Sequence, residues 1–104
     1  MNQNEIEELI NSIKDSLCPK RIYLFGSFAD QTYTNESDYD FYIVVDNKEK
    51  DVLSLTVKAY KAIRHKQKRA VDIIVNTEEH FENKKNKSLT IENEVSNKGI
   101  LLYG

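Results

Sequence analysis

The sequence predicts a small α/β protein, of the α+β kind, with helices packed mainly on one face of a mixed β-sheet. Three segments repeat apolar residues at helical spacing, and between them lie short runs rich in Val, Ile, Tyr and Phe. The resulting order is α-β-α-β-α-β-α-α-β, with the third strand expected beside the second. The length of 104 residues corresponds to one domain, predicted to cover residues 1–104.

The first helix is predicted from an apolar stripe. Its members recur at spacings of one, three and four: Ile6, Leu9, Ile10, Ile13 and Leu17. Asn4, with Glu7 three residues on, has the spacing of an N-terminal capping pair. Arg21 to Phe25 then forms the first strand, which Gly26 and Ser27 end.

The remaining elements follow from the same two periodicities. They are a short helical turn after residue 27, a strand over 38–45, a helix over 51–65, a strand over 70–75, a short helix over 77–81, a helix over 88–97 and a strand over 100–103. Thr77 is expected to cap the short helix that follows it. Leu89 is expected to be partly buried, and Gly99 to end the last helix.

Composition excludes several classes of protein. The net charge is −2, from 15 basic and 17 acidic residues, which is not the basic footprint of a nucleic-acid-binding domain. No apolar run approaches the ~20 residues of a membrane span. The polar start of the chain does not resemble a signal peptide, so we expect a cytoplasmic protein. Cys18 is the single cysteine, cannot form an internal disulfide and is expected to be buried or half-buried.

A glycine and a serine directly after the first strand are the first feature with chemical meaning. Glycine lets the backbone turn sharply, and a turn that opens a helix presents N–H groups that favour a phosphate. Gly26 and Ser27 are therefore candidate nucleotide-binding residues. The alternative is an ordinary turn after a strand, so the pair indicates a phosphate site only in combination with other features.

Two aspartates begin the second strand. Residues two apart along a strand point the same way, so Asp38 and Asp40 are expected side by side, with Cα atoms ~7 Å apart. Two carboxylates on one face repel each other and resist burial, whereas Mg²⁺ prefers carboxylate oxygens as ligands. The pair is a candidate metal site. The alternative is that both side chains are solvated at the open end of the strand.

Asp72 interrupts the Val and Ile residues of the third strand. A carboxylate in the middle of such a strand is costly to bury without a partner. If the third strand lies beside the second, Asp72 completes an acidic triad with Asp38 and Asp40. The alternative is that Asp72 lies on an edge strand and faces water.

Together these features resemble the nucleotidyltransferase superfamily that includes DNA polymerase beta. The resemblance rests on Leu24 to Ser27, on Asp38 to Phe41 after ten intervening residues, and on Val71 to Ile74. More narrowly, the chain is similar to the minimal nucleotidyltransferases of prokaryotes, and residues 99–103 also resemble the corresponding residues of those proteins. The resemblance covers nearly the whole chain. The spacing of the three motifs together is specific to this superfamily, although each motif by itself is not.

The resemblance implies the polymerase beta-like fold and a transfer of AMP from ATP. It implies that Gly26 and Ser27 bind the triphosphate. Asp38 and Asp40 would bind two Mg²⁺ ions, and Asp72 would bind one of them and help to deprotonate the acceptor hydroxyl. Transfer of this kind depends on positioning and charge neutralisation, which two metal ions supply.

The resemblance also implies a protein partner. Many minimal members are antitoxins paired with a helical ribonuclease toxin of the HEPN type, which they inactivate by transferring AMP to a tyrosine. Relatives often carry Arg, then Gly, shortly after the Gly-Ser pair, where this chain has residues Phe28 to Gln31. This departure keeps open a second hypothesis, a catalytically weak or inactive binding module that neutralises its partner by contact.

A basic run precedes the third strand. Such runs are usually solvated turns. The alternative for Lys66, Lys68 and Arg69 is that they help to bind the triphosphate or form a surface that contacts a partner. The sequence does not indicate which cation, if any, replaces the arginine that relatives carry after Gly-Ser.

Overall fold

The computed structural model describes residues 3–104; Met1 and Asn2, the first residues of the polar start, lie outside the described residues. The observed order of elements is the predicted one. The elements are α1 (Gln3–Leu17), β1 (Arg21–Phe25), α2 (Ser27–Asp30), β2 (Tyr39–Val45), α3 (Val52–Ile63), β3 (Val71–Thr77), α4 (Glu78–Lys84), α5 (Ile91–Lys98) and β4 (Ile100–Tyr103).

The four strands form one mixed sheet in the order β3-β2-β1-β4. β1 runs antiparallel to both β2 and β4, and β2 runs parallel to β3. The predicted neighbourhood of the second and third strands is therefore confirmed, as is the mixed character of the sheet. In the parallel register Asp40 pairs directly with Asp72.

The apolar residues form two clusters, one on each face of the sheet. The larger cluster joins α1, α2 and α3 to alternate residues of β1, β2 and β3. The smaller cluster lies beneath α4 and α5 and consists of Phe25, Tyr42, Val44, Phe81 and Val95. The two longest helices thus share one face, as the fold class predicts, and two short helices cover part of the other.

Side-chain caps fix where three of the helices begin. Asp51 accepts from the amide of Ser54 at 3.0 Å at the start of α3. Thr77 and Thr90 cap α4 and α5 in the same way, which confirms the prediction for Thr77. The predicted cap at Asn4 is wrong, because this residue lies inside α1.

Three predicted environments differ from the structure. Leu89 is fully exposed with φ 69°, because Thr90 caps α5 and the helix begins only at Ile91. Cys18 is exposed with φ 49°, the left-handed backbone that commonly ends a helix, directly after α1. Gly99 ends α5 as predicted, but with an extended backbone. None of the helices formed by residues 3–104 combines the length and apolar character needed to cross a membrane.

Candidate functional site

The predicted site residues meet at one end of the sheet, where β1 ends and β2 and β3 begin. Phe25 is opposite Asp40 in the antiparallel pair, and Asp40 is opposite Asp72 in the parallel pair. Tyr39 and Val71, the preceding residues of β2 and β3, are buried in the larger cluster. Because side chains alternate along a strand, Asp40 and Asp72 must point to the other face. The sheet thus presents two carboxylates side by side.

The environment of Asp40 disfavours its charged form. Partial burial, followed by the adjacent charge of Asp72 and a hydrogen bond to it, together raise the pKa of Asp40 to about 6. Asp38 and Glu94 add smaller effects of the same sign. Glu94, on α5, was not predicted, since no spacing in the sequence links that helix to the acidic strands. The raised pKa means that negative charge accumulates here without a compensating cation.

Asp38 lies in the loop directly before β2 and is half-buried, whereas Asp72 is exposed. Among residues 3–104, no group of three or more His, Cys, Asp or Glu side chains has the geometry of a metal site. The structure therefore brings Asp40 and Asp72 together. It places Asp38 within electrostatic reach of Asp40 but does not close the three carboxylates into one cluster.

Gly26 makes the turn that joins β1 to α2. Its φ is 73°, a backbone region that side chains other than glycine rarely adopt. A Cβ at this position would also collide with the Asp40 carboxylate. Ser27 and Phe28 follow as the first residues of α2, whose amides have no acceptor within a helix. The glycine is thus required both by the turn and by the close approach of the carboxylate.

The loop between α2 and β2 is held by local hydrogen bonds. Asp30 accepts from the amide and hydroxyl of Thr32, at 3.1 and 2.6 Å. The Ser37 hydroxyl accepts from the amide of Thr34 at 2.8 Å, so it serves the turn. Gln31 ends α2 with φ 65°, in the left-handed region that glycine adopts most readily. A side chain at this turn costs some backbone strain.

Within the basic run before β3, Arg69 is the member that contacts residues next to the predicted site residues. Its guanidinium carbon lies 5.1 Å from the ring centroids of both Phe28 and Tyr39. Its Nη1 donates to the carbonyl oxygen of Ser37 at 3.0 Å. The sequence predicts a basic run here but not which member reaches the site, because those contacts depend on tertiary packing between three separate segments.

Comparison with known proteins identifies the family. The model of the family described as "Nucleotidyltransferase domain" matches residues 6–100. A protein of Methanocaldococcus jannaschii, described as a "putative protein adenylyltransferase", is 36% identical over 106 residues, which cover 99% of this chain and 100% of that protein.

Two crystal structures have a similar fold. One is a toxin–antitoxin with AMP-PNP, with TM-score 0.59, 24% identity and coverage of 100% of this chain and 74% of that chain. The other is a mutant of the toxin–antitoxin MntA-HpeT, with TM-score 0.57, 21% identity, and coverage of 100% and 74%. The fold and family predicted from the Gly-Ser and Asp motifs are thereby confirmed. The chain belongs to the nucleotidyltransferase domain family and, as predicted, to the nucleotidyltransferase class of enzymes.

Proposed function

We propose that this protein transfers AMP from ATP to a hydroxyl group of a partner protein in a Mg²⁺-dependent reaction, as a single domain covering residues 1–104. The observation that carries this proposal is the pairing of Asp40 with Asp72 beside the Gly26 turn. The relative described as a protein adenylyltransferase supports the reaction. The similar fold of a toxin–antitoxin crystallised with AMP-PNP supports a nucleotide substrate and a protein partner.

The acidic residues fit a magnesium ion. Mg²⁺ typically takes one or two protein carboxylates and fills its other positions with water and phosphate oxygens. Asp40 and Asp72 supply such a pair, and the pKa of Asp40 is raised by burial and next by the charge of Asp72, two effects that a bound cation offsets. In the proposal Asp38, Asp40 and Asp72 hold two such ions, whose chemistry is to neutralise the phosphate charge and to polarise the reacting oxygens.

The chain's own residues position the reactants. Gly26 keeps the turn free of a side chain and Ser27 opens α2, so a triphosphate can approach the backbone closely. Asp72 is the exposed carboxylate of the pair, so an acceptor hydroxyl arriving from solvent reaches it first. The acceptor oxygen then bonds to the α-phosphorus, the bond from this phosphorus to the bridging oxygen breaks, and pyrophosphate leaves. Asp72 accepts the hydroxyl proton.

The surroundings of the site suit an acceptor carried by another protein. Residues 31–36, in the loop between α2 and β2, are all exposed, and Asp72 faces the same open end of the sheet. A side chain of a partner can therefore approach Asp72 from solvent. We infer that the partner is a HEPN-type helical toxin and that this protein is its antitoxin and acts in the cytoplasm. The basis is the resemblance to minimal nucleotidyltransferases.

The test is transfer of label from α-labelled ATP in the presence of Mg²⁺, with the products of neighbouring genes as acceptors. We expect one labelled partner with the wild type and none with Asp40→Asn. Asp46→Asn is the matched control, because it makes the same change just beyond the other end of β2, where Asp46 pairs with Lys20 at 3.8 Å. Absence of label, with a stable complex for both wild type and Asp40→Asn, would instead establish the contact-only binding module.

A further inference from the structure

The candidate site is built from three segments that are distant in the sequence. Sheet pairing fixes Asp40 against Asp72, and Phe25 against Asp40. The short helix α2 and the loop that delivers Asp38 lie beyond the paired strands, and residues 31–36 of that loop are exposed. Contacts outside the strand pairing therefore also contribute to the position of α2 relative to Asp38.

Arg69 contacts both of these segments. Its guanidinium lies over Phe28, two residues after Gly26, and over Tyr39, which stands between the predicted metal ligands Asp38 and Asp40. The two rings also touch each other, with centroids 4.7 Å apart. The Nη1 hydrogen bond ends on the carbonyl of Ser37, the residue before Asp38. One side chain thus joins α2, which follows the Gly26 turn, to the start of β2.

Arg69 itself is anchored close to the third segment. It lies three residues before Asp72, and the amide of Tyr39 donates to the carbonyl of its neighbour Ala70 at 3.1 Å. Its Nε is excluded from solvent, unlike the side chain of a solvated turn. Arg69 is thus linked to all three segments: to α2 through Phe28, to the start of β2 through Tyr39 and Ser37, and to β3 through its own place in the chain.

The basic run before β3 divides into separate roles. Lys66 turns away from the site and donates to the hydroxyl of Ser12 on α1 at 2.8 Å. Lys68 is exposed. The planar guanidinium of Arg69 lies over two aromatic rings and at the same time donates from Nη1 to a carbonyl, a combination that the compact ammonium group of lysine does not reproduce. The contacts thus require arginine at position 69 and not merely a positive charge.

The geometry points to Arg69 as a positioning residue that sets the Gly26–Ser27 turn against Asp38 and Asp40; this inference rests on the proposed function of that site. Arg69 acts through Phe28, Tyr39 and the Ser37 carbonyl. Reacting groups that are displaced by about 1 Å lose on the order of 100-fold in rate. Loss of Arg69 should therefore impair nucleotide binding and transfer while the sheet remains folded.

The test compares Arg69→Gln, Arg69→Lys and the matched control Lys68→Gln. For each, one measures the affinity for a non-hydrolysable ATP analogue with Mg²⁺, kcat/KM for AMP transfer, the melting temperature and amide hydrogen exchange over residues 37–40. We expect Arg69→Gln to lower affinity and kcat/KM on the order of 10- to 100-fold. Arg69→Lys should recover little of this loss, and Lys68→Gln should stay within about twofold of the wild type.

Amide hydrogen exchange over residues 37–40 should become faster in both Arg69 variants, whereas exchange in β1 should not. Wild-type affinity and exchange in Arg69→Gln would overturn the inference, as would full recovery by Arg69→Lys, since charge alone would then suffice. A wild type that binds no nucleotide would refute the proposed function. In that case unchanged exchange in Arg69→Gln would overturn the positioning role separately, and quicker exchange would uphold it.

Discussion

The two faces of the sheet differ in how completely they are covered. On the face of α1 and α3, the strands contribute only apolar or aromatic side chains to a cluster of seventeen buried residues. On the face of α4 and α5, the cluster has five buried residues, and polar groups lie beside it. These include the Tyr42 hydroxyl, which donates to the buried Glu92 at 2.7 Å, and the facing carboxyls of Asp40 and Asp72.

This difference arises from strand alternation alone. Tyr39, Phe41 and Ile43 point into the larger cluster, and Asp40 and Tyr42 between them point the other way. The same seven-residue strand thus supplies the larger cluster from one face, and from the other it supplies Asp40 to the candidate site and Tyr42 and Val44 to the smaller cluster. Stability resides mainly on the closed face, so the open face can carry carboxylates whose mutual repulsion costs free energy.

The largest expected effect is on the closed face. Phe41 is completely buried at the centre of the sheet, so Phe41→Ala should lower the free energy of unfolding by about 3–5 kcal/mol. Phe81→Ala, on the open face, should cost less, because a cavity beneath the short helix α4 can collapse or admit water. Urea unfolding of both variants measures the difference. A larger loss for Phe81→Ala would show that the faces do not divide stability in this way.

A smaller effect is expected in the polar network of the open face. Burial, and next the hydrogen bond to Glu92, raise the pKa of Tyr42, so its hydroxyl stays protonated and donates. Tyr42→Phe removes the hydroxyl that donates to the buried Glu92, whose contact with His80 at 3.4 Å remains. It should lower the free energy of unfolding by about 1–3 kcal/mol, measured with urea. Tyr33→Phe, an exposed aromatic, is the control and should change stability by less than about 0.5 kcal/mol. Equal losses for both variants would contradict a specific role of the Tyr42 hydroxyl.

The smallest expected effect has the opposite sign. The pKa of Asp40 is raised from 3.8, its value in the unfolded chain, to about 6 in the folded protein. The protonated Asp40 carboxyl therefore contributes fully to stability below pH 3.8, and this contribution is lost as the pH rises through 6. In metal-free buffer at pH 7.5, Asp40→Asn should therefore be more stable than the wild type. The gain should be about 1–2 kcal/mol, allowing for screening of a partly exposed carboxyl. It should vanish at pH 3.5, as melting curves across this pH range will show.

Asp46→Asn serves as the control for this prediction, since Asp46 lies just beyond the far end of β2, away from Asp72. It should show no gain at pH 7.5. If Asp40→Asn were destabilising at pH 7.5 without metal, the Asp40 carboxylate would be stabilising the fold, and the free-energy cost assigned to the acidic pair would be refuted.

The fold could be predicted from the sequence because its signals are local. The apolar stripe of α1 and the β-branched runs of β2 and β3 each specify an element from nearby residues. The capping side chain of Thr77 likewise acts three residues away, on His80. The predicted partial burial of Leu89 is wrong because its apolar character favours a place in the last helix, whereas the cap at Thr90 starts that helix only after it.

The candidate site could be predicted only in part. Asp40 and Asp72 follow from strand alternation once β3 is placed beside β2. The contribution of Glu94 depends on how α5 packs across the sheet. The contacts of Arg69 depend on the path of an irregular loop. No periodicity in the sequence encodes either of these arrangements, so they become visible only in three dimensions.

The most direct test of the role of the open face is calorimetric titration of a non-hydrolysable ATP analogue with and without Mg²⁺. The wild type should bind only with Mg²⁺, and Asp40→Asn and Asp72→Asn should each weaken binding by at least about 100-fold while remaining folded. Asp46→Asn should bind like the wild type. Binding of equal strength without Mg²⁺, or in both acidic-pair variants, would contradict the assignment of Asp40 and Asp72 as the metal and nucleotide site.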